Sequence, residues 1–464
     1  MVTNELTFYL AAGLLVVLTV ESCVRLLKRD SFGITVVVYV TVFAWYFVDP
    51  FINPEQYDYL PSFLIGQSYG QVLLFLIGFR VFIPLAVRWI VRRPGTGVFV
   101  TRSLSPERIL IAAGAVWLGL FAIGIYRMGG DVVGAVFPID SRAGATMWGR
   151  GAIESGASGF LISFAGYLFI AVTAFLGVLV FFQRTIFWRL LAGAMFAITL
   201  PYFFLSGARN QFLAAVLPFI ITYLFYGRHF LIIKLAILAV AFVCLKEGFK
   251  FVTEFRLGGF RDVLAAENPY ELVDEDVREK GLNMIQELCF VNAYVTSGDT
   301  SPAYGARYLN ELLNFIPRAI WPSKPLLGID YAIWRGFESE DAELGVNTTV
   351  SSGMIGGGVL NFGQILGPVA AGILMVLWSG LLIRWWEQRQ SLLRLMLFMI
   401  GAGLTFNLGR DITLLVLWPA IFAYFFVRLT EIWAMKRFGA LSQLATVAPA
   451  NAGPVQVLAG QLSQ

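Results

Sequence analysis

The chain has 464 residues, 58% of them hydrophobic and 14% charged, with a formal net charge of +4. That balance lies far from a soluble globular domain, and apolar runs of about 18 or more residues recur, the length that crosses a bilayer as helix. One histidine, His229, excludes mechanisms that need several imidazoles, and Cys23, Cys244 and Cys289 lack the paired spacing of a disulfide framework or metal site. The small basic excess gives no ground for a nucleic-acid partner.

The reading is an all-α polytopic membrane protein with about eleven transmembrane helices. In chain order the expected spans are 6–25, 33–49, 69–90, 109–126, 158–182, 187–205, 211–227, 230–246, 359–383, 392–408 and 412–430. The start lacks a basic n-region and a small-x-small cleavage site, so the first span is expected to be retained. Short connections on one face are basic: Arg25, Lys28 and Arg29 in the first, Arg184 and Arg189 in 183–189, Arg228 and Lys234 in 227–234. The positive-inside rule puts that face and the C-terminus in the cytoplasm and the N-terminus outside. Arg80, inside the third span, needs a partner or a watery cavity at that depth, and no carboxylate near it in sequence offers itself.

The chain then divides into 1–246 with eight spans, an outside loop domain at 247–358, three spans in 359–438, and a tail from 439 to 464 with the composition of disorder. A shorter outside loop, 127–157, is glycine-rich and carries Arg142 and Arg150. In the long loop, Asn268-Pro269-Tyr270-Glu271 has the N-cap, N1 proline and N3 glutamate of a helix start. Leu282, Ile285, Cys289 and Asn292 continue the helical stripe, which breaks at Ser297-Gly298. Ser301-Pro302 can cap a further helix, with Tyr304, Tyr308 and Leu312 on one face.

That helix runs into NFIPRAIWPSKPLLG, residues 314–328. Pro317, Pro322 and Pro325 forbid a regular helix and bias the residues before them to extended backbone. A stiff strip therefore presents Arg318, Trp321 and Lys324. Arginine makes two-pronged contacts with phosphate or carboxylate, and lysine adds a compact point charge. A proline-rich turn with an interfacial tryptophan fits the same residues. Two more outside turns each carry one arginine: Arg209 in SGARNQ (206–211), where a helix begins and free N–H groups attract anions, and Arg410 in NLGRD (407–411). Snorkelling of Arg209 and a capping pair of Arg410 with Asp411 are the plainer readings. The run from Gly353 to Gly367 has small-xxx-small spacings, as in close helix packing; a smooth groove for an isoprenoid tail would also fit.

SGAR-N at 206–210, FIPR-x-x-WPSKP at 315–325 and Asn361-Phe362-Gly363 ahead of a glycine-rich helix resemble the Wzy-type polymerases. The resemblance covers the layout of most of the chain. It implies the architecture of the membrane (GT-C-like) glycosyltransferases and a metal-independent, cofactor-free glycosyltransferase of the bacterial inner membrane. Such an enzyme joins undecaprenyl-diphosphate-linked oligosaccharide repeat units into O-antigen, capsule or exopolysaccharide on the outer face. A chain-length regulator and a repeat-unit flippase would be its partners. The implied diphosphate-stabilising residues are Arg318, Arg209 and Arg410, with Lys324, Trp321, Arg142, Arg150 and Asn361 around the substrate. The base is open among Glu254, Glu287 and Asp411. Two departures stand out: the arginine-to-glycine spacing of some polymerases is one residue short between Arg318 and Gly328, and glycines stand before Asn361 where relatives carry an acid. An O-antigen ligase would instead be expected to carry a histidine in its outer loop, and His229 falls on the cytoplasmic face. A lipid or polysaccharide transporter is a third reading; repeat symmetry and paired broken helices are not visible in the sequence.

Overall fold

The computed structural model of the chain describes residues 6–91, 104–138, 147–148, 157–206, 209–254, 283–313, 316, 321, 323, 329–336, 350–412 and 414–447. Every element among them is helical: α1 (Leu6–Leu27), a 3-10 turn (Ser31–Thr35), α2 (Val36–Tyr46), α3 (Val48–Ile52), a second 3-10 turn (Pro54–Tyr57) and α4 (Ser62–Ile90). Then follow α5 (Pro106–Arg127), α6 (Val132–Val136), α7 (Ala157–Leu179), α8 (Ile186–Leu205), α9 (Arg209–Tyr226) and α10 (Leu231–Glu254). The late part holds α11 (Met284–Thr296), α12 (Ala306–Leu312), α13 (Ile329–Trp334), α14 (Met354–Glu387), α15 (Leu392–Arg410) and α16 (Leu414–Val447).

Eight of these are long and apolar enough to cross a bilayer: α1, α4, α5, α8, α14, α15, Leu161–Leu179 within α7 and Val416–Lys436 within α16. The chain is an all-α, multi-pass membrane protein. The other three expected spans, at 33–49, 211–227 and 230–246, coincide with α2, α9 and α10. Of these, α2 is the short one, because a 3-10 turn capped by Asp30, which accepts from the Phe32 N–H at 3.0 Å, takes up the first residues of the expected span.

α15 lies at the centre: 89% of its apolar window is buried, against 22% for α1. A helix apolar all round is stable only when wrapped on every side. The most extensive pairing is α4 with α14, followed by α9 with α15. Glycine makes the first pairing close, since a Cβ at Gly372 would stand 3.1 Å from the Phe75 carbonyl oxygen and 3.2 Å from the Phe79 nitrogen. At the basic end, Arg394 donates from two nitrogens to the two oxygens of Glu431, 2.6 Å each, fastening α15 to α16 away from water.

The glycine run around Gly363 does more than permit packing. α14 breaks at Gly363 (φ 78°, ψ 179°), backbone that only glycine adopts readily. Beyond the break the two halves touch again: a Cβ at Gly358 would lie 2.2 Å from the Gly367 carbonyl oxygen. The expectation of close packing holds, and the helix is in addition sharply bent.

α11 ends where its stripe breaks, at Ser297-Gly298 with Gly298 at φ 82°, and among the described residues it starts at Met284 behind Asn283. It is buried between α4 and α14 rather than lying on the surface. Asn292 exchanges two hydrogen bonds with Gln71 (2.8 and 2.9 Å) and donates to Ser68 (3.0 Å), so buried amides replace water there. The next helix differs from expectation. It starts at Ala306 behind Gly305 (φ 88°), not at Ser301-Pro302, because the Ala303 N–H is drawn to the Leu360 carbonyl (3.1 Å) and the chain must turn before it can coil. Tyr304 therefore precedes the helix and is exposed, apart from Tyr308. The helix start at 268–271 lies outside the described residues.

Arg80 does have its carboxylate. Glu21 of α1 accepts from it at 3.1 Å and also pairs with Arg25 at 2.8 Å. The partner was hidden because it sits 59 positions away in sequence.

Candidate functional site at the start of α9 and the end of α15

Two arginine turns distant in sequence meet. α9 begins at Arg209 just where the antiparallel α15 ends at Arg410, and the Asn407 side-chain amide donates to the Asn210 carbonyl at 3.0 Å, tying the two ends together. α2 locks the same corner from the other side. A Cβ at Gly409 would stand 2.3 Å from Thr41 and 2.4 Å from Trp45, whose indole donates to the Phe406 carbonyl at 2.6 Å. Only glycine at 409 lets α2 come this close.

Arg410, half-buried, donates through Nε to Ser351 Oγ (3.2 Å) and through Nη1 to Asn210 Oδ1 (3.4 Å), both neutral acceptors. Arg209 stands with its guanidinium 5.9 Å from the Phe249 ring centre, and its positive charge reaches Arg410. Next to Arg410, Asp411 leaves the helix in extended conformation (φ −163°, ψ 135°). Burial pushes its carboxyl up to about 7, and the opposing pull of Arg410 does not undo this. A carboxyl at that value is half-ionised near neutrality, the condition for taking or giving a proton.

The corner also holds unsatisfied polar atoms. The Tyr308 hydroxyl is buried without a hydrogen-bond partner among the described residues, as is Asn407 Oδ1. Burial and the charge of Asp411 both push the Tyr308 phenol up, so it stays a donor. Tyr308 is held by Asn361, which accepts from the Tyr308 N–H (3.3 Å) and donates to the Gly357 carbonyl (2.8 Å), clipping α12 onto the short arm of the bent α14.

Of the residues singled out in the sequence, Arg209, Arg410 and Asp411 thus come together, and Asn361 stands behind them as a clip. Glu287, whose charge also reaches Arg410, has its own partners: its two oxygens accept from Arg335 Nε and Nη2 (3.2 Å each) and from the Tyr331 hydroxyl (2.8 Å). Arg335 in turn lies 3.5 Å from the Phe290 ring centre. A carboxylate so occupied holds α13 to α11 and has little capacity left for a substrate proton. Trp321 is half-buried. Arg142, Arg150, Arg318 and Lys324, and the side chain of Glu254, lie outside the described residues. Among the described residues no group of three His, Cys, Asp or Glu could hold a metal ion.

Sequence reasoning missed Asn210, Ser351 and Tyr308 as members of this corner. Asn210 and Asn407 sit inside the two quoted arginine turns and could have been suspected. Nothing local marks Ser351. No protein-family model, characterised protein or solved structure matches the chain.

Proposed function

We propose that the chain is a polymerase that joins polyprenyl-diphosphate-linked oligosaccharide repeat units by metal-independent glycosyl transfer. The observation that carries the reading is the meeting of Arg209 and Arg410 with a carboxyl, Asp411, raised to about 7. In the reaction the bond between the donor sugar's anomeric carbon and the diphosphate oxygen breaks, leaving growing negative charge on that oxygen. Fixed guanidinium groups stabilise this charge without needing to reorganise. The Asp411 carboxylate removes the proton of the acceptor hydroxyl as that oxygen bonds to the anomeric carbon. The Tyr308 hydroxyl is a free donor for a sugar or phosphate oxygen. Arg318 and Lys324 of the proline strip would complete the anion wall.

In this reading the protein sits in the bacterial inner membrane with the Arg209–Asp411 corner outside, where flipped lipid-linked units arrive. His229 favours polymerase over ligase: it follows the far end of α9, where it meets the Tyr223 hydroxyl (3.1 Å), about 27 Å of helix away from Arg209. A second reading has one observation in its favour, because the bend at Gly363 is of the kind transporters use near their substrate sites.

The glycan profile of cells lacking the protein tests these readings. Lipid capped with single units, or loss of polymer, supports the polymerase. Polymer accumulating on its carrier would point to a ligase, and repeat units retained on the cytoplasmic leaflet to a transporter.

A further inference from the structure

A cavity of about 230 Å³ opens between α1, α2 and α4 at the basic end, and none of its lining residues belongs to the Arg209–Asp411 corner. Its lining includes Glu21, Arg25, Thr35, Tyr39, Arg80 and Pro84. Three guanidinium nitrogens, two from Arg25 and one from Arg80, converge on a single oxygen, Glu21 Oε1. Arg25 has a further acceptor in Asp30 (2.9 Å). Arg80 hydrogen-bonds only Glu21 among the described residues, through one nitrogen of its three. The other four N–H donors of this cavity-lining arginine, inside a membrane span, thus have no partner among the described residues. Pro84, lacking an N–H, also removes the helical partner of the Arg80 carbonyl and loosens α4 at this point. A guanidinium with free donors in such a place calls for an anion.

We infer that this cavity binds the phosphate group of an anionic phospholipid from the adjoining leaflet. Charge favours it, since Arg25 and Arg80 line the cavity and Lys28 and Arg29, both exposed, follow α1 directly in the chain. Level favours a lipid over a free ion. Arg25 lies in the last turn of α1 and Thr35 at the turn into α2, so the mouth is where helices emerge and lipid phosphates lie. Beside it, Val24 on α1 and Val81 and Leu85 on α4 are exposed and offer acyl chains an apolar wall. Arg25 and Arg80 grip the phosphate, which competes with the Glu21 carboxylate they share for their donors.

The test uses the full-length protein in a neutral detergent, with phosphatidylglycerol, phosphatidylcholine of the same chains, and inorganic phosphate as separate probes. Native mass spectrometry reads retained lipid, and thermal unfolding reads stabilisation. Phosphatidylglycerol should be retained and raise the unfolding temperature, with phosphatidylcholine weaker at both. Arg80→Gln should lower phosphatidylglycerol retention about tenfold or more, as expected for losing a charged donor. Arg80→Lys should lose less, and Glu21→Gln, which removes the competing carboxylate, should bind at least as well as the parent. Glu21→Gln keeps the test decisive if Arg80→Gln fails to fold, since retention below the parent's would overturn the inference. Equal retention of both lipids, or unchanged retention in Arg80→Gln, would overturn the inference. So would millimolar inorganic phosphate displacing the lipid, since the site would then be one for a free anion.

Discussion

At the scale of single residues, Asp411 is the group whose chemistry can be checked most directly. Its carboxyl stands near 7 in the folded protein, whereas an unperturbed aspartate ionises near ~3.9. Catalysis through the carboxylate should therefore rise with pH through about 7 and level off above it. Asp411→Asn should remove that step and lower the rate roughly a hundred- to ten-thousand-fold, the usual worth of a general base. Stability should move the other way. A folded pKa above the unfolded one means the folded state binds more protons, so the acid stabilises the fold below about 4 and that contribution is lost as pH rises through about 7. Asp411→Asn should thus be more resistant to unfolding than the parent at pH 8 and little different at pH 4. A variant that is inactive and unfolds more easily at pH 8 would place Asp411 in the architecture rather than in the chemistry. Arg410 makes a matching prediction. Its two hydrogen bonds leave from different nitrogens, so Arg410→Lys cannot reproduce them. It should lose polymer almost as completely as Arg410→Ala, about 2.7–4 kcal/mol of transition-state stabilisation. Normal polymer ladders from Arg410→Lys at matched protein level would remove Arg410 from the anion site.

At the scale of elements, the bend in α14 rests on glycines that tolerate no side chain. A methyl at Gly358 or Gly367 would meet backbone of the opposite arm at 2.2 and 2.5 Å, and backbone cannot step aside as a flexible side chain can. Gly358→Ala and Gly367→Ala should each destabilise by about 1–3 kcal/mol or more, and should dislodge α12 with Tyr308, which Asn361 clips to the same arm. Gly13→Ala is the control: nothing stands within 4 Å of its Cβ position, so its unfolding temperature should not fall. Equal unfolding temperatures for all three variants would mean that the bend is not a packed joint. This bend also marks how far the sequence could be read. Apolar runs are local, and so the long helices were legible with ends off by a few residues. The stop of α11 followed from the Ser297-Gly298 break in the same way. What was not legible was long-range: Glu21 beside Arg80, Ser351 against Arg410, and α11 burying its amides on α4. Those contacts join residues 59 or more positions apart, and no local rule links them. Within the corner, Arg209, Arg410 and Asp411 were each visible as charges that a membrane turn would not hold without reason, but their meeting needed the packing of α9 on α15.

At the scale of the whole molecule, function depends on which side of the membrane the Arg209–Asp411 corner faces. The proposed orientation sets it outside, on the ground that Arg184, Arg189, Arg228 and Lys234 all lie at the other ends of α8, α9 and α10. The helices enforce this jointly. α9 and α15 are antiparallel and tied at Asn407–Asn210, so the corner cannot turn over without the Arg394–Glu431 fastening, at the far end of α15, turning too. Site-directed labelling decides the matter in a background without Cys23, Cys244 and Cys289. A cysteine at Ser301, which is exposed in the turn leading to Tyr308, should react with a membrane-impermeant maleimide applied to whole cells. A cysteine at Ser103, in the basic connection between α4 and α5, should react only after the membrane is opened. Reaction of Ser103 but not Ser301 from outside would set the arginines and Asp411 against the cytoplasm, where lipid-linked units are built one sugar at a time and not yet joined. The polymerase reading would then fall with the orientation, even if Asp411→Asn proved inactive.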